Sequence, residues 1–310
     1  MSSILTVKKE YSVVLEGVDA LDLSVGVLRD LCDLLLEGSQ RSARLLAEGR
    51  SVARGTAPAW LSIAADCHIT KFAPGSLELG IQASRLLDAA PEIFAQQQLF
   101  PPGSDPDASA LDLFLDSAED AASGRRDSER LDAGVLDVLA RTGSLFAKGG
   151  TCLSVGRVGH STLVLDVKAA VQIRTLAEET PAPCVSRLRG QLDSLTVSTK
   201  AISLRLEDGR AVRGFAGAIE QEQLKALLGT EVVVEGWFNF RPSGEALRIE
   251  VESVKPAKPG DAVWAQLPKR EPTAPRSRPS SPALELDALF GKWPGDESDD
   301  RLAEALRELQ

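Results

Sequence analysis

The chain has 310 residues, of which 43% are hydrophobic and 26% are charged, with a formal net charge of −10. This composition excludes a wholly disordered chain and is typical of a globular protein of about two domains. The negative charge argues against broad, non-specific capture of nucleic acids or anionic membranes, although a local basic patch is compatible with it.

The N-terminal sequence lacks the apolar core of a signal peptide, and no stretch has about 18 uninterrupted apolar residues. Four scattered cysteines form no CxxC pair, which indicates free thiols in a reducing compartment. The only histidines, His68 and His160, offer few metal ligands. We therefore expect a cytoplasmic protein with no membrane association, metal or cofactor.

Residues 1–182 are predicted to form an α+β domain of unknown role, in which helices lie between groups of antiparallel strands. The spacing of apolar residues predicts each element. Pro74-Gly75 supplies the turn of a predicted hairpin, and His68 lies on the more solvent-exposed face of that hairpin. The predicted elements are a strand over 7–16, a helix over 22–48, hairpin strands over 61–70 and 77–81, helices over 110–122 and 131–147, and strands over 152–158 and 161–173.

Residues 183–255 are predicted to form a compact β domain. Its elements are strands over 185–195, 201–206, 211–217, 230–240 and 246–254, with a helix over 219–228. Three strands, a helix and two strands is the order of the OB-fold, so this region resembles that small, partly open five-stranded barrel.

An OB-like barrel suggests binding of single-stranded nucleic acid, which uses a positive groove and stacking aromatic side chains. Phe238 and Phe240 are expected in the core, whereas Trp237 and Arg241 share the other face of their strand and could form a stacking platform. The candidate nucleic-acid-binding residues are Arg187, Arg189, Arg205, Arg213, Trp237 and Arg241. Nine basic against ten acidic residues over 184–254 are a poor charge balance for a groove that follows phosphates.

Residues 256–282 hold seven of the 17 prolines and a surplus of basic side chains, which predicts a disordered, Pro-rich linker. Residues 283–310 then regain an amphipathic pattern. Apolar side chains recur at helical spacing at Leu286, Leu289, Phe290 and Trp293, and again at Leu302, Leu306 and Leu309. Such a tail behind a tether predicts docking on a partner protein, and the alternative is that it folds back on its own body.

Residues 289–309, LFGKWPGDESDDRLAEALREL, resemble the C-terminal tail of bacterial antitoxins that are paired with PIN-domain ribonucleases, in which a similar W-P-G-D turn precedes a last short helix. The resemblance implies that the tail wraps the toxin and blocks its metal-dependent active site. The implied partner-binding residues are Leu289, Phe290, Trp293, Pro294, Arg301, Leu302, Leu306 and Leu309. Unlike that family, the chain has no recognisable small DNA-binding N-terminus.

The sequence contains no motif of a phosphate-binding loop, a dinucleotide fold, a zinc protease, a serine hydrolase or a kinase. We therefore expect a non-enzymatic interaction protein, an antitoxin-like inhibitor that binds a PIN-type ribonuclease toxin. The alternative is a nucleic-acid-binding protein that uses the barrel and the basic linker. A third hypothesis, an enzyme that uses His68 or His160, has no supporting constellation of residues. The sequence does not set the oligomeric state.

Overall fold

The first sheet is built around strand β1 (Lys8–Asp19). The structure is a computed structural model, and it describes residues 8–53, 55–73, 76–95, 105, 107–197 and 200–272. Strand β1 pairs antiparallel with β3 (Ser76–Ser84) on one side and with β4 (Cys152–Arg157) on the other. The edges are β2 (Cys67–Ala73) and β5 (Leu163–Asp166), which gives the order β2-β3-β1-β4-β5. The predicted antiparallel hairpin is confirmed by the pairing of β2 with β3.

Helices cover one face of this sheet. They are α1 (Val25–Glu48), α2 (Ala59–Ala64), α3 (Leu86–Ala89), α4 (Pro91–Phe94), α5 (Ala110–Ala122), α6 (Ala133–Ala140), α7 (Thr142–Ala147) and α8 (Val167–Glu179). Alternate side chains of the strands, such as Val13 and Leu79, are buried against apolar residues of α1, α5, α6 and α8. A second cluster joins the end of α1 to α2, α3 and α4, where the rings of Trp60 and Phe94 meet edge to face.

Side chains at the helix ends explain where several helices begin. The Ser24 hydroxyl accepts a hydrogen bond from Gly26 N at the start of α1. Ser109 and Asp112 form a reciprocal capping box at the start of α5. Asp132 and Asp166 accept backbone hydrogen bonds at the starts of α6 and α8. Each cap satisfies backbone N–H groups that have no partner inside the helix.

The structure differs from the predicted elements in three places. The strand predicted over 61–70 begins only at Cys67, because Leu61, Ala64 and Ala65 are buried at helical spacing and Ile63 is exposed. The strand predicted over 161–173 is β5 followed by α8, in which the buried residues are also three apart. The helix predicted over 131–147 is divided at Arg141 into α6 and α7.

The second sheet contains β6 (Cys184–Thr196), β7 (Ala201–Arg205), β8 (Ala211–Phe215), β9 (Glu231–Phe240) and β10 (Ala246–Pro256), with helix α9 (Gln221–Leu227) between β8 and β9. Strand β6 pairs with both β7 and β9, and β10 pairs antiparallel with β9 and parallel with β8. Each strand therefore has two neighbours, and the sheet closes on itself. Phe238 and Phe240 are fully buried inside it, as predicted.

The first part of the predicted linker is ordered on the second sheet, contrary to the expectation of a disordered spacer. Residues Pro259–Trp264 form a 3-10 turn, with Lys258 N donating to Asp261 Oδ2 at 2.7 Å, and the Trp264 ring lies 5.8 Å from the Arg187 guanidinium. Further on, Arg270 N donates to Gly244 O at 2.9 Å. Proline breaks the regular ladder here, but neighbouring backbone groups still find partners. Residues 273–310 lie outside the described part of the chain.

The second sheet contacts the α+β region directly. Leu247 of β10 belongs to the apolar core of the first sheet. Arg50, just after α1, forms an ion pair with Glu250, and its guanidinium lies 5.1 Å from the Phe215 ring centre. In addition, Ser243 N donates to Arg126 O at 3.1 Å. The regions predicted as 1–182 and 183–255 thus contact one another, although each has its own apolar cluster, and both lie within the unit Met1–Ala274.

None of the helices in the described ranges is long and apolar enough to cross a membrane.

We expect Gly38→Ala to destabilise the protein by about 1–3 kcal/mol, although alanine favours helix by about 1 kcal/mol over glycine. A Cβ at position 38 of α1 would lie 2.4 Å from the Phe114 ring of α5. The matched control is Gly143→Ala in α7, where a Cβ would meet nothing within 4 Å and the effect should be neutral or stabilising. Urea unfolding of both variants measures this, and equal midpoints would contradict the packing argument.

Candidate functional site

Most of the arginines predicted to bind nucleic acid are already paired with carboxylates. Three of them form ion pairs between neighbouring strands: Arg187 with Glu235 at 3.0 Å, Arg189 with Glu231 at 2.5 Å, and Arg205 with Asp193 at 2.7 Å. Because each positive charge has a negative neighbour, this surface offers little net attraction to a phosphate chain.

Trp237 and Arg241 do not come together as the predicted stacking platform. Trp237 is 39% exposed and lines an open groove of about 810 Å³, and its indole N–H donates to Glu252 Oε1 at 3.0 Å. Arg241 reaches away to the α+β region, where it donates to Asp127 O at 3.3 Å and to Glu129 Oε1 at 3.4 Å. Of the six predicted residues, Arg213 is the one with no hydrogen bond or ion pair to another described side chain.

A charge cluster that the sequence did not predict, with Asp112 and Arg157 buried at its centre, lies where β1 and β4 meet α5. Asp112, Asp116 and Glu119 follow one another on successive turns of α5, so their carboxylates share one face of the helix. Arg157, whose side chain is 6% exposed, lies against all three, with its closest contact to Asp116 Oδ1 at 2.7 Å. On the other side, Lys9 Nζ lies 2.8 Å from Asp112 Oδ2.

The electrostatics of this cluster perturb two neighbouring groups. Tyr11 is buried beside it and shares a 2.7 Å hydrogen bond with Ser109. Burial first, and then the negative charge of Asp112, raises the pKa of Tyr11 well above its ordinary value. Burial alone would lower the pKa of Lys9, but its hydrogen bonds and charge interactions with Asp112 and Asp105 raise it above the usual range. Lys9 and Tyr11 therefore hold their protons more tightly in the folded chain.

A cavity of about 60 Å³ lies above the cluster, between α1, α5 and the second sheet. Three leucines line it, together with polar and charged residues that include Arg157, His160 and Arg248. The Ser42 hydroxyl, Asp112 Oδ1 and Arg157 Nε are buried and have no hydrogen-bond partner among the residues that the structure describes. The cavity is therefore lined by charged side chains of both signs beside a few leucines.

The two histidines do not form a nucleophile–base pair within the described residues. His68 is exposed on β2, and its Nε2 lies 3.2 Å from Asp66 Oδ2. The His160 side chain lines the cavity above the cluster but hydrogen-bonds no described serine, threonine or cysteine. Nor do the histidines, cysteines and carboxylates of the described residues form a group of three or more that could hold a metal ion. The cluster acts mainly as an ionic clamp that fixes α5 to the sheet.

The spacing of Asp112, Asp116 and Glu119 was the only local signal of this cluster, because its basic members come from distant strands. The predicted partner-binding residues lie outside the described part of the chain. They are Leu289, Phe290, Trp293, Pro294, Arg301, Leu302, Leu306 and Leu309.

We expect Arg157→Met to destabilise the fold by about 3–5 kcal/mol, because three carboxylates on one helix face would lose their buried counter-charge. The control is Arg174→Met, which removes an exposed pair with Glu178 on α8 and should change stability by less than about 1 kcal/mol. Urea unfolding of both variants measures the difference. Similar losses in the two variants would show that Arg157 is not a clamp.

We expect the stabilising effect of the Tyr11 hydroxyl to depend on pH. Because the folded chain raises the pKa of Tyr11, this group stabilises the fold fully below pH 10, the ordinary value, and less as the pH rises above it. Tyr11→Phe should therefore be less stable than the natural chain by about 1 kcal/mol at pH 8, through the lost hydrogen bond to Ser109. Urea unfolding at pH 8 and pH 11 should show this gap shrinking, and a constant gap would contradict it.

Comparison with known proteins assigns no function to this site. No family model, curated protein or solved structure matches the chain. The case for a function therefore depends on the charges, cavities and chain organisation described above.

Proposed function

We propose that this chain is a non-enzymatic interaction protein that binds and inhibits a PIN-type ribonuclease through residues 283–310. The observation that carries the proposal is the sequence of the tail, an amphipathic segment behind a Pro-rich stretch that resembles an antitoxin tail. The two sheets belong to the unit Met1–Ala274, and the tail belongs to the unit Pro275–Gln310.

The chemistry of the tail supports a protein partner. Its apolar side chains at helical spacing each contribute about 1.5–3 kcal/mol when fully buried. Trp293 is of the residue type that most often dominates protein interfaces, and Pro294 and Gly295 follow it in the sequence. Arg301 would be available to pair with the acidic residues that hold the metal of such a ribonuclease. Burial of these groups on a partner offsets the entropy that ordering the tail requires.

The charge distribution of the described part of the chain, here called the body, also favours a protein that presents the tail over one that binds nucleic acid. Arg187, Arg189 and Arg205 are neutralised by carboxylates on neighbouring strands. A phosphate chain would have to break these pairs to bind there.

The test is inhibition of a purified PIN-type ribonuclease from the same organism, preferably one encoded next to this chain, by the full-length protein. We expect Trp293→Ala to weaken inhibition at least about 30-fold, which corresponds to about 2 kcal/mol. Trp237→Ala removes an exposed tryptophan of the body and serves as the matched control, with unchanged inhibition expected. Equal inhibition by the full chain, by Trp293→Ala and by a chain that ends at Ala274 would overturn the proposal.

A second candidate function is binding of single-stranded nucleic acid, and one observation favours it. We infer an OB-like barrel from the closed order β6-β7-β8-β10-β9, the parallel β8–β10 pair and the position of α9 between β8 and β9. A fluorescent single-stranded DNA or RNA should then bind at low salt with an affinity that falls steeply as salt increases. Absence of binding at low salt would dispose of this candidate.

A further inference from the structure

Arg248 of β10 is a buried cation that Glu129 and Asp132 attract, although neither carboxylate forms an ion pair with it. Its side chain is 7% exposed, and it has no hydrogen bond or ion pair to another described group. The aliphatic part lies directly on Gly49, where a Cβ would approach Arg248 Cδ to 2.7 Å. An isolated buried charge is strongly unfavourable, so a guanidinium in this position calls for a negative partner.

A second arginine faces the same space. Arg213 of β8 and Arg248 both line a cavity of about 90 Å³ between the end of α1 and the outer face of the second sheet. Burial first, and then the positive charge of Arg213, lowers the pKa of Arg248 to about 10. The two guanidinium groups thus repel one another, and this repulsion is relieved when an anion lies between them.

The nearby carboxylates have other partners: Glu129, which attracts Arg248, accepts from Arg241 Nη2 at 3.4 Å. Glu48, which also lines the cavity, accepts from Arg44 Nε at 2.9 Å and from Arg50 Nε at 3.2 Å. Asp132 caps α6 and accepts from the Ser51 hydroxyl at 2.7 Å. The end of α1 supplies only a partial negative charge, which accounts for part of the compensation that Arg248 requires.

We propose that Arg213 and Arg248 bind a small tetrahedral oxyanion, inorganic phosphate or the phosphate group of a monoester, in this cavity. Two guanidinium groups match the oxygens of a phosphate with directed, charge-assisted hydrogen bonds. The hydroxyls of Ser194, Thr196 and Ser203 lie in the same wall and supply neutral donors. The cavity has room for several waters or one such anion, and it is too small for a nucleic-acid strand.

This inference rests on residues of the body and is independent of the proposed tail function. The experiment is thermal unfolding of the full chain in increasing inorganic phosphate, with sodium chloride at equal ionic strength as the reference. Phosphate bound by the folded state should raise Tm in a saturable way, whereas chloride should not. Arg213→Gln should weaken the apparent phosphate affinity at least about tenfold and should fold, because Arg213 is partly exposed.

The matched control is Arg205→Gln on the adjacent strand, which removes an exposed arginine paired with Asp193 and should keep the full phosphate response. A second arm replaces phosphate with adenosine monophosphate: a larger shift assigns the site to a phosphomonoester, and an equal or smaller shift assigns it to free phosphate. A phosphate response that is absent, that chloride reproduces, or that survives Arg213→Gln would overturn the proposal. A rise in Tm with an oligonucleotide that lacks terminal phosphates, and none with inorganic phosphate, would also overturn the proposal and would favour a nucleic-acid surface.

Discussion

The arrangement of the whole body depends on the close approach of β10 to the end of α1. Gly49 ends the helix with a φ of 76°, a conformation that only glycine adopts without strain, and its missing side chain leaves space for Arg248. The next residue, Arg50, reaches across to Glu250 and Phe215 of the second sheet. This helix terminus therefore helps to position the second sheet on the α+β region, and it also forms one wall of the cavity that Arg213 and Arg248 line.

Charge pairing explains why the basic residues of this acidic chain have different roles. Arg157 is surrounded by carboxylates of α5 and so holds a helix on a sheet. Arg187 and Arg189 pair across strands and contribute little to long-range attraction. Arg213 and Arg248 form no ion pair with any described residue, which sets them apart from the other arginines of the second sheet. The neighbours of an arginine thus decide whether it forms a structural ion pair or stays unpaired, and the net charge of the chain does not distinguish these two cases.

The strands of the second sheet were predictable because alternating apolar residues and turn signals act over short distances, as at Phe238 and Phe240. The segments 61–70 and 161–173 were predicted incorrectly because short apolar runs fit both the strand and the helix period, and packing against α1 or the sheet decides between them. The charge cluster and the arginine pair could not be predicted. Their members, such as Lys9 and Asp112, are brought together only by the tertiary fold.

The insertion of Leu247 into the core of the first sheet has a consequence for the folding of the body. Separation of the two sheets would expose this leucine and would remove the covering of the neighbouring arginine. The second sheet is thus unsuited to excision as an autonomous module. The α+β region and the closed sheet should instead lose their structure in one cooperative transition, as a single folding unit built from two sheets.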